Sequence, residues 1–113
     1  MELAYTFDAV IQLLPTHMGG RRTAVRTHYR PNFNFNTEQY FCGEIRFKEG
    51  VEWIAPGQSA EATIVLLAAR FIPGDLVPGY AFKLTEGKRV VGTGVIREVL
   101  KREEVDIEEQ VVA

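Results

Sequence analysis

The sequence has few of the residues that form disulfide frameworks or membrane anchors. Its 113 residues include one cysteine, Cys42, which has no partner within the chain and fits a reducing cytoplasm. We expect its thiol to be buried and inert. No apolar run approaches the length of roughly 18 residues that suggests a membrane-spanning helix, and the N-terminus lacks the basic and apolar regions of a signal peptide. These absences predict a cytoplasmic protein with no membrane partner.

Signatures of catalysis and cofactor binding are also missing. A phosphate-binding loop would read GxxxxGK(S/T), but Phe82 stands where its first glycine should be and Arg89 where its serine or threonine should be. The two histidines, His17 and His28, have no cysteine or carboxylate at ligand spacing. We therefore expect no enzyme activity, no cofactor and no metal.

What the sequence does contain is a repeated period of two. Apolar residues alternate with polar ones in short segments separated by Gly and Pro turns, which is typical of strands with one buried face. The predicted strands cover residues 5–14, 32–36, 40–48, 60–71, 80–85 and 89–100. The segment 60–71 is mostly apolar, and we interpret it as a strand buried on nearly both faces, although its period alone also allows a helix. Six short strands with frequent turns predict an all-β antiparallel barrel or sandwich.

Several residues have predictable structural roles. Phe33 and Phe35 have the period of core residues, with the intervening asparagines facing outward. Gly92 and Gly94 suggest either close backbone approach or a bend at a barrel corner. Trp53 precedes a Pro-Gly turn, and we interpret it as a plug at the end of the barrel rather than a binding platform.

Charge is distributed unevenly along the chain. Six basic residues lie within 14 residues and have no acid among them: His17, Arg21, Arg22, Arg26, His28 and Arg30. Residues 103–113 contain five acids and no base. The arginines are suited to bidentate phosphate contacts. The alternative is a solvated loop that pairs with the acidic tail.

Three ordered blocks carry a resemblance to a known family. They are GGRRT followed by YRPNFNFNT within residues 19–37, CGEI, EGVE and PG within 42–57, and EGKRVVGTGVI at 86–96. The chain resembles the C-terminal (third) β-barrel domain of bacterial elongation factor Tu, whose pattern reads roughly GGRHTP, YRPQFYFRT, TGTI, EGVE, PGD and EGGRTVGAGVV. The resemblance implies a six-stranded antiparallel Greek-key barrel over residues 1–100, with residues 101–113 as an acidic C-terminal tail. It also implies a stand-alone module without the GTP-hydrolysing part of the factor.

The resemblance implies a binding site as well. In the family, the loop containing GGRHT and the turn containing REGG contact the T-stem backbone of aminoacyl-tRNA. Arg21, Glu86 and Gly87 match family residues, and Arg22 stands at the family histidine. The candidate nucleic-acid or partner-binding residues are Arg21, Arg22, Arg26, Arg30, Glu86, Gly87 and Arg89.

Three family positions are different here, and two functions remain open. Thr85 replaces an arginine, Asn32 a glutamine and Cys42 a threonine. Tyr29, two residues before Pro31, fits either a packed corner or a partner contact. The sequence predicts a non-enzymatic module that contacts tRNA or translation-factor proteins. The alternative is a protein-interaction or decoy module that engages partners of elongation factor Tu without binding nucleic acid. No oligomeric state follows from the sequence.

Overall fold

Six strands close into a barrel. The computed structural model describes residues 2–67 and 76–105. Its elements are β1 (Glu2–Leu13), a 3-10 turn (Thr16–Met18), β2 (Val25–Arg26), β3 (Asn32–Asn34), β4 (Phe41–Phe47), β5 (Trp53–Ile54), β6 (Ser59–Leu67), β7 (Ala81–Glu86) and β8 (Arg89–Val105). The closed barrel has the order β1-β6-β4-β3-β7-β8, and every pairing is antiparallel. The prediction of an all-β, six-stranded antiparallel barrel is confirmed. Among the described residues, no helix has the length and apolar character needed to cross a membrane.

β1 shows how the period of two becomes a core. Its alternate residues Tyr5, Phe7, Ala9, Ile11 and Leu13 are all at most 3% exposed, as their spacing predicts. The strand pairs with β6 along one edge and with β8 along the other. Every side chain on its inner face is therefore covered from both sides.

Aromatic rings fill the middle of the barrel. The Phe82 ring lies 5.9 Å from Phe7, 5.7 Å from Phe33 and 5.6 Å from Phe35, measured between centroids. Phe33 and Phe35 are at most 1% exposed, which confirms their assignment to the core. Ring pairs at this separation add specific packing to the apolar burial.

Two glycines of β8 leave room for this core. A Cβ atom at Gly94 would lie 2.3 Å from Cζ of Phe82, and one at Gly92 would lie 2.8 Å from the carbonyl oxygen of Gln12. Both distances are too short for a side chain. The predicted close approach at these positions is confirmed.

A two-stranded ribbon, β2 with β5, lies outside the barrel order and was not predicted. It pairs Val25 with Ile54 and Arg26 with Trp53. Val25 and Ile54 are 3% and 4% exposed, whereas Trp53 is 56% exposed. The prediction that Trp53 is a plug is wrong, because Ile54 takes the inward position and alternation turns its neighbour outward.

Two further expectations are corrected. Cys42 is exposed rather than buried, because the inward positions of β4 belong to Phe41, Ile45 and Phe47. Asn34 is only 8% exposed, because its amide nitrogen donates to the carbonyl oxygens at positions 37 and 39 and is thereby satisfied in the turn.

β6 is buried less evenly than its composition suggests. Ala62, Ile64 and Leu66 are fully buried, while Thr63 and Val65 on the other face are only partly covered. No second layer formed by the described residues covers the outer face of the closed sheet in this region. The predicted continuation of the strand to residue 71 lies outside the described residues.

Candidate binding site

Two connections meet at one end of the barrel and form a surface that we call the arginine end. It consists of the loop at residues 14–24, between β1 and β2, and the turn at residues 86–89, between β7 and β8. Gly19 has φ of 93°, and a Cβ atom at Gly20 would lie 2.1 Å from the carbonyl oxygen of Leu14. Gly19 therefore provides the left-handed backbone of the tight loop, and Gly20 allows the close approach to Leu14.

Arg21 is held against the hairpin turn. Its guanidinium forms an ion pair with the Glu86 carboxylate and lies 5.3 Å from the centroid of the Tyr29 ring. It also donates to the side chain of Thr23, at 3.0 Å. The Arg21 charge is therefore compensated and the guanidinium is fixed in position.

Tyr29 binds the same Glu86 carboxylate from the side of the core. Its hydroxyl donates to the Glu86 carboxylate at 2.5 Å, and the residue packs against the hydrophobic core. Burial raises the pKa of Tyr29 above its ordinary value, and the hydrogen bond to the negatively charged Glu86 raises it further. Of the two interpretations of Tyr29, the structure shows the packed corner.

Arg89 also binds the loop at residues 14–24, through its backbone. Its guanidinium donates to the carbonyl oxygen of Gly19 at 3.0 and 3.1 Å and to that of Gly20 at 2.6 Å. The donors of Arg89 are thus directed at the protein backbone. Together with Arg21, it joins the loop to the turn across about 70 residues of sequence.

Arg30 lies elsewhere, on the outer face beside β4. Its guanidinium donates to Glu44 at 3.0 and 3.1 Å, and the same carboxylate accepts from Arg46 at 2.5 Å. Nδ1 of His28 lies 3.2 Å from it. Hydrogen bonds from Arg46 and its other partners lower the pKa of Glu44 to about 2, so the carboxylate stays ionised and offsets the Arg30 charge.

Arg22 and Arg26 are different from the other candidates. Both are exposed, and neither side chain forms a hydrogen bond or ion pair with the described residues. Lys88 was not among the predicted binding residues. It is exposed in the same way at the tip of the turn, directly after Gly87, whose φ is 60°. The position of a lysine after the glycine of a two-residue hairpin turn could have identified this exposed cation from the sequence.

The proposed pairing of the arginines with the acidic tail is wrong for the acids that the structure describes. Glu103 and Glu104 lie in β8, opposite Ala4 and Leu3 at the start of β1. The arginine end follows Leu13, nine to ten strand positions further along, or on the order of 30 Å away. The acids at positions 106, 108 and 109 lie outside the described residues.

The three departures from the family pattern occupy one row across the sheet. Asn32 on β3 lies opposite Cys42 on β4 and opposite Thr85 on β7. Thr85 is 2% exposed, and its hydroxyl oxygen has no hydrogen-bond partner among the described residues. Within that part of the chain, no group of three or more His, Cys, Asp and Glu side chains is placed to hold a metal ion.

The comparison with protein families agrees with this architecture. The model of the elongation factor Tu C-terminal domain matches residues 1–100 of the 113-residue chain. The matched region covers the loop, the turn and the barrel strands that position them. The chain therefore belongs to the elongation factor Tu C-terminal domain family, a group of non-catalytic β-barrel domains of translation.

Proposed function

We propose that this chain is a non-enzymatic, cytoplasmic module of translation that binds the backbone of tRNA at the arginine end. The observation that carries the proposal is the fixed loop with its exposed cations. Arg21 and Arg89 hold the loop to the turn, while Arg22 and Lys88 on these two connections have no partner among the described residues. Cations held on a rigid scaffold lose little conformational entropy when they meet a phosphate.

The geometry divides the candidate residues by role. In the proposal, Arg22 and Lys88 supply phosphate contacts at the arginine end, and Arg26 adds a third contact from β2, next to the loop. Arg21, Glu86 and Arg89 position the loop. Gly87 lets the turn bend back sharply, because its φ of 60° suits glycine. Two or three such contacts give weak, salt-sensitive affinity, with Kd of about 10⁻⁴–10⁻⁶ M.

A second candidate function is a protein partner on the face that carries Arg30. A groove of about 540 Å³ lies there, lined by Arg30, Arg46 and Glu44 together with apolar Pro31, Val65 and Leu67. Both arginines pair with Glu44, so the carboxylate offsets part of their charge and engages their donors. A surface with engaged arginines and an apolar lining favours a protein over a polyanion.

Titration of the 113-residue chain with tRNA at several salt concentrations tests the proposal. Arg22→Ala with Lys88→Ala should weaken binding and lower the slope of log K against log salt by roughly 2, since each lost contact contributes about 0.9. The matched control is Arg97→Ala with Lys83→Ala, which removes the same charges from exposed positions on β8 and β7. Equal losses in both double variants, or binding that ignores salt, would refute an RNA site at the arginine end and favour the protein partner.

A further inference from the structure

A second groove lies between β5 and the beginning of β6. It has a volume of about 540 Å³ and is lined by Val51, Trp53 and Ile54 on one side and by Ser59, Ala60 and Glu61 on the other. Val51 and Trp53 are 37% and 56% exposed. The turn at residues 55–58 joins the two strands. β5 pairs with β2, and β6 pairs with β1 and β4, so β5 and β6 do not pair with each other on either side of the turn.

The edge of β5 that faces this groove pairs with no strand among residues 2–67 and 76–105. The Thr27 N–H donates to the Glu52 carbonyl oxygen at 2.8 Å, so the peptide groups of Glu52 face β2. Because peptide groups alternate in direction along a strand, those of Trp53 face away from β2. The pairing of Trp53 with Arg26 is thus of the non-hydrogen-bonded kind.

β6 presents a matching edge from the opposite side. The Leu13 N–H donates to the carbonyl oxygen of Gln58 at 3.0 Å, and the Lys48 N–H donates to that of Glu61 at 3.2 Å. The peptide groups of Ser59 therefore point away from β1, toward the groove. β4 pairs with β6 only from Ala62 onward, so it does not cover Ser59.

Charge decides which class of partner fits this groove. Lys48 lies on its wall, but its ammonium is held by Asp8 at 2.7 Å. Glu61 on β6 is exposed and has no partner among the described residues. Glu49 and Glu52, which are also exposed, precede β5 on the other side of the groove. These acids disfavour a nucleic acid, although Arg26 lies opposite Trp53.

We propose that the β5–β6 groove binds an extended segment of a partner protein in which an apolar and a basic residue, two positions apart, face the same side. The main chain of the segment pairs with the open edges at Ser59 and Trp53. The apolar side chain packs on the indole, and the lysine or arginine two positions along faces Glu61, which lies on the outer face together with Trp53. Strand addition with alternate side-chain contacts is an established mode of peptide recognition. The inference does not depend on tRNA binding at the arginine end.

Trp53 is the sole tryptophan of the chain, so its fluorescence reports directly on this groove. The probes are two blocked peptides, acetyl-Thr-Val-Thr-Lys-Thr-amide and acetyl-Thr-Val-Thr-Glu-Thr-amide, in which the valine and the charged residue share one face. We expect the lysine peptide to change Trp53 emission in a saturable way with Kd of about 1 mM or tighter, and the glutamate peptide to bind at least about fivefold more weakly. Methylation of the backbone nitrogens of the lysine peptide should abolish binding, because it removes the main-chain donors.

A charge reversal makes the test specific. Glu61→Lys should shift the preference toward the glutamate peptide, whereas Glu38→Lys, an exposed acid in the connection between β3 and β4, should leave it unchanged. Several results would overturn the proposal: no saturable change in emission, equal binding of both peptides, or a preference that Glu61→Lys does not alter. Quenching by oligoadenylate at a lower concentration than the lysine peptide would assign the groove to RNA instead.

Discussion

Substitution of Gly94 by alanine is the sharpest test of how this core is packed. The added Cβ atom would lie 2.3 and 2.5 Å from two carbons of the Phe82 ring and 2.9 Å from Cδ1 of Ile11. Carbon atoms in contact prefer separations of about 3.5–4.0 Å, so the ring must move by more than about 1 Å. Three other phenylalanines already surround Phe82, so no free space receives it.

We expect Gly94→Ala to lower the free energy of unfolding by about 3 kcal/mol, the upper end for an overpacked core. The sign is informative, because the same change in an uncrowded strand stabilises by about 0.5–1 kcal/mol. Urea unfolding followed by circular dichroism gives the value. Thr93→Ala, an exposed neighbour on the outer face of β8, is the control and should cost no more than about 1 kcal/mol.

A second substitution identifies the clash as the cause. Phe82→Leu alone should destabilise, because it leaves a cavity among the rings. In the Gly94→Ala protein it should cost at least about 1 kcal/mol less, because the smaller side chain vacates the crowded space. Additive effects of the two substitutions, or unchanged stability of Gly94→Ala, would refute the packing described here.

Three further predictions concern burial and ionisation. Phe35→Ala should destabilise by about 3–5 kcal/mol in the same urea assay, and an unchanged midpoint would place the ring outside the core. Tyr29→Phe should cost about 1.5–3 kcal/mol by removing the hydrogen bond to Glu86. Because the pKa of Tyr29 is raised above 10.0 in the fold, its advantage over the phenylalanine variant is present below pH 10 and should shrink as the pH rises further. Glu44→Gln should cost about 1 kcal/mol or less at pH 7, since the partners of Glu44 are exposed. That difference should shrink as the pH falls from 4.5, the ordinary pKa of Glu44, and be lost as the pH falls through about 2, its folded pKa. A difference that does not shrink between pH 4.5 and pH 2 would contradict the assigned ion pairs.

The barrel could be predicted because its strands bury one face each. The six segments with a period of two correspond to the six strands of the closed barrel. The β2–β5 ribbon escaped prediction because each of its strands has only two residues, too few to show a period. The predicted inward position of Trp53 was wrong for the same reason, because a strand of two residues does not show which of them faces inward.

The candidate site was predictable only in part. The basic stretch is visible in the sequence, but which of its charges stay free depends on contacts between distant residues. Arg21 meets Glu86 across 65 residues, and Arg89 meets Gly19 across 70. Local spacing contains no information on such pairs, so it could not separate Arg22 from Arg21. Lys88 was not predicted as a binding residue, because a single lysine in a turn is common on any protein surface.

The long β1–β8 ladder has a consequence for the response of the barrel to force. It pairs Glu2 with Val105 at one end and Leu13 with Gly92 at the other. A tether at each of Glu2 and Val105 would pull along the hydrogen bonds, which run perpendicular to antiparallel strands. The load would fall on one residue pair at a time and peel the ladder open like a zipper. In a single-molecule pulling experiment, a barrel that is closed all round should therefore open at low force when it is held by these two residues.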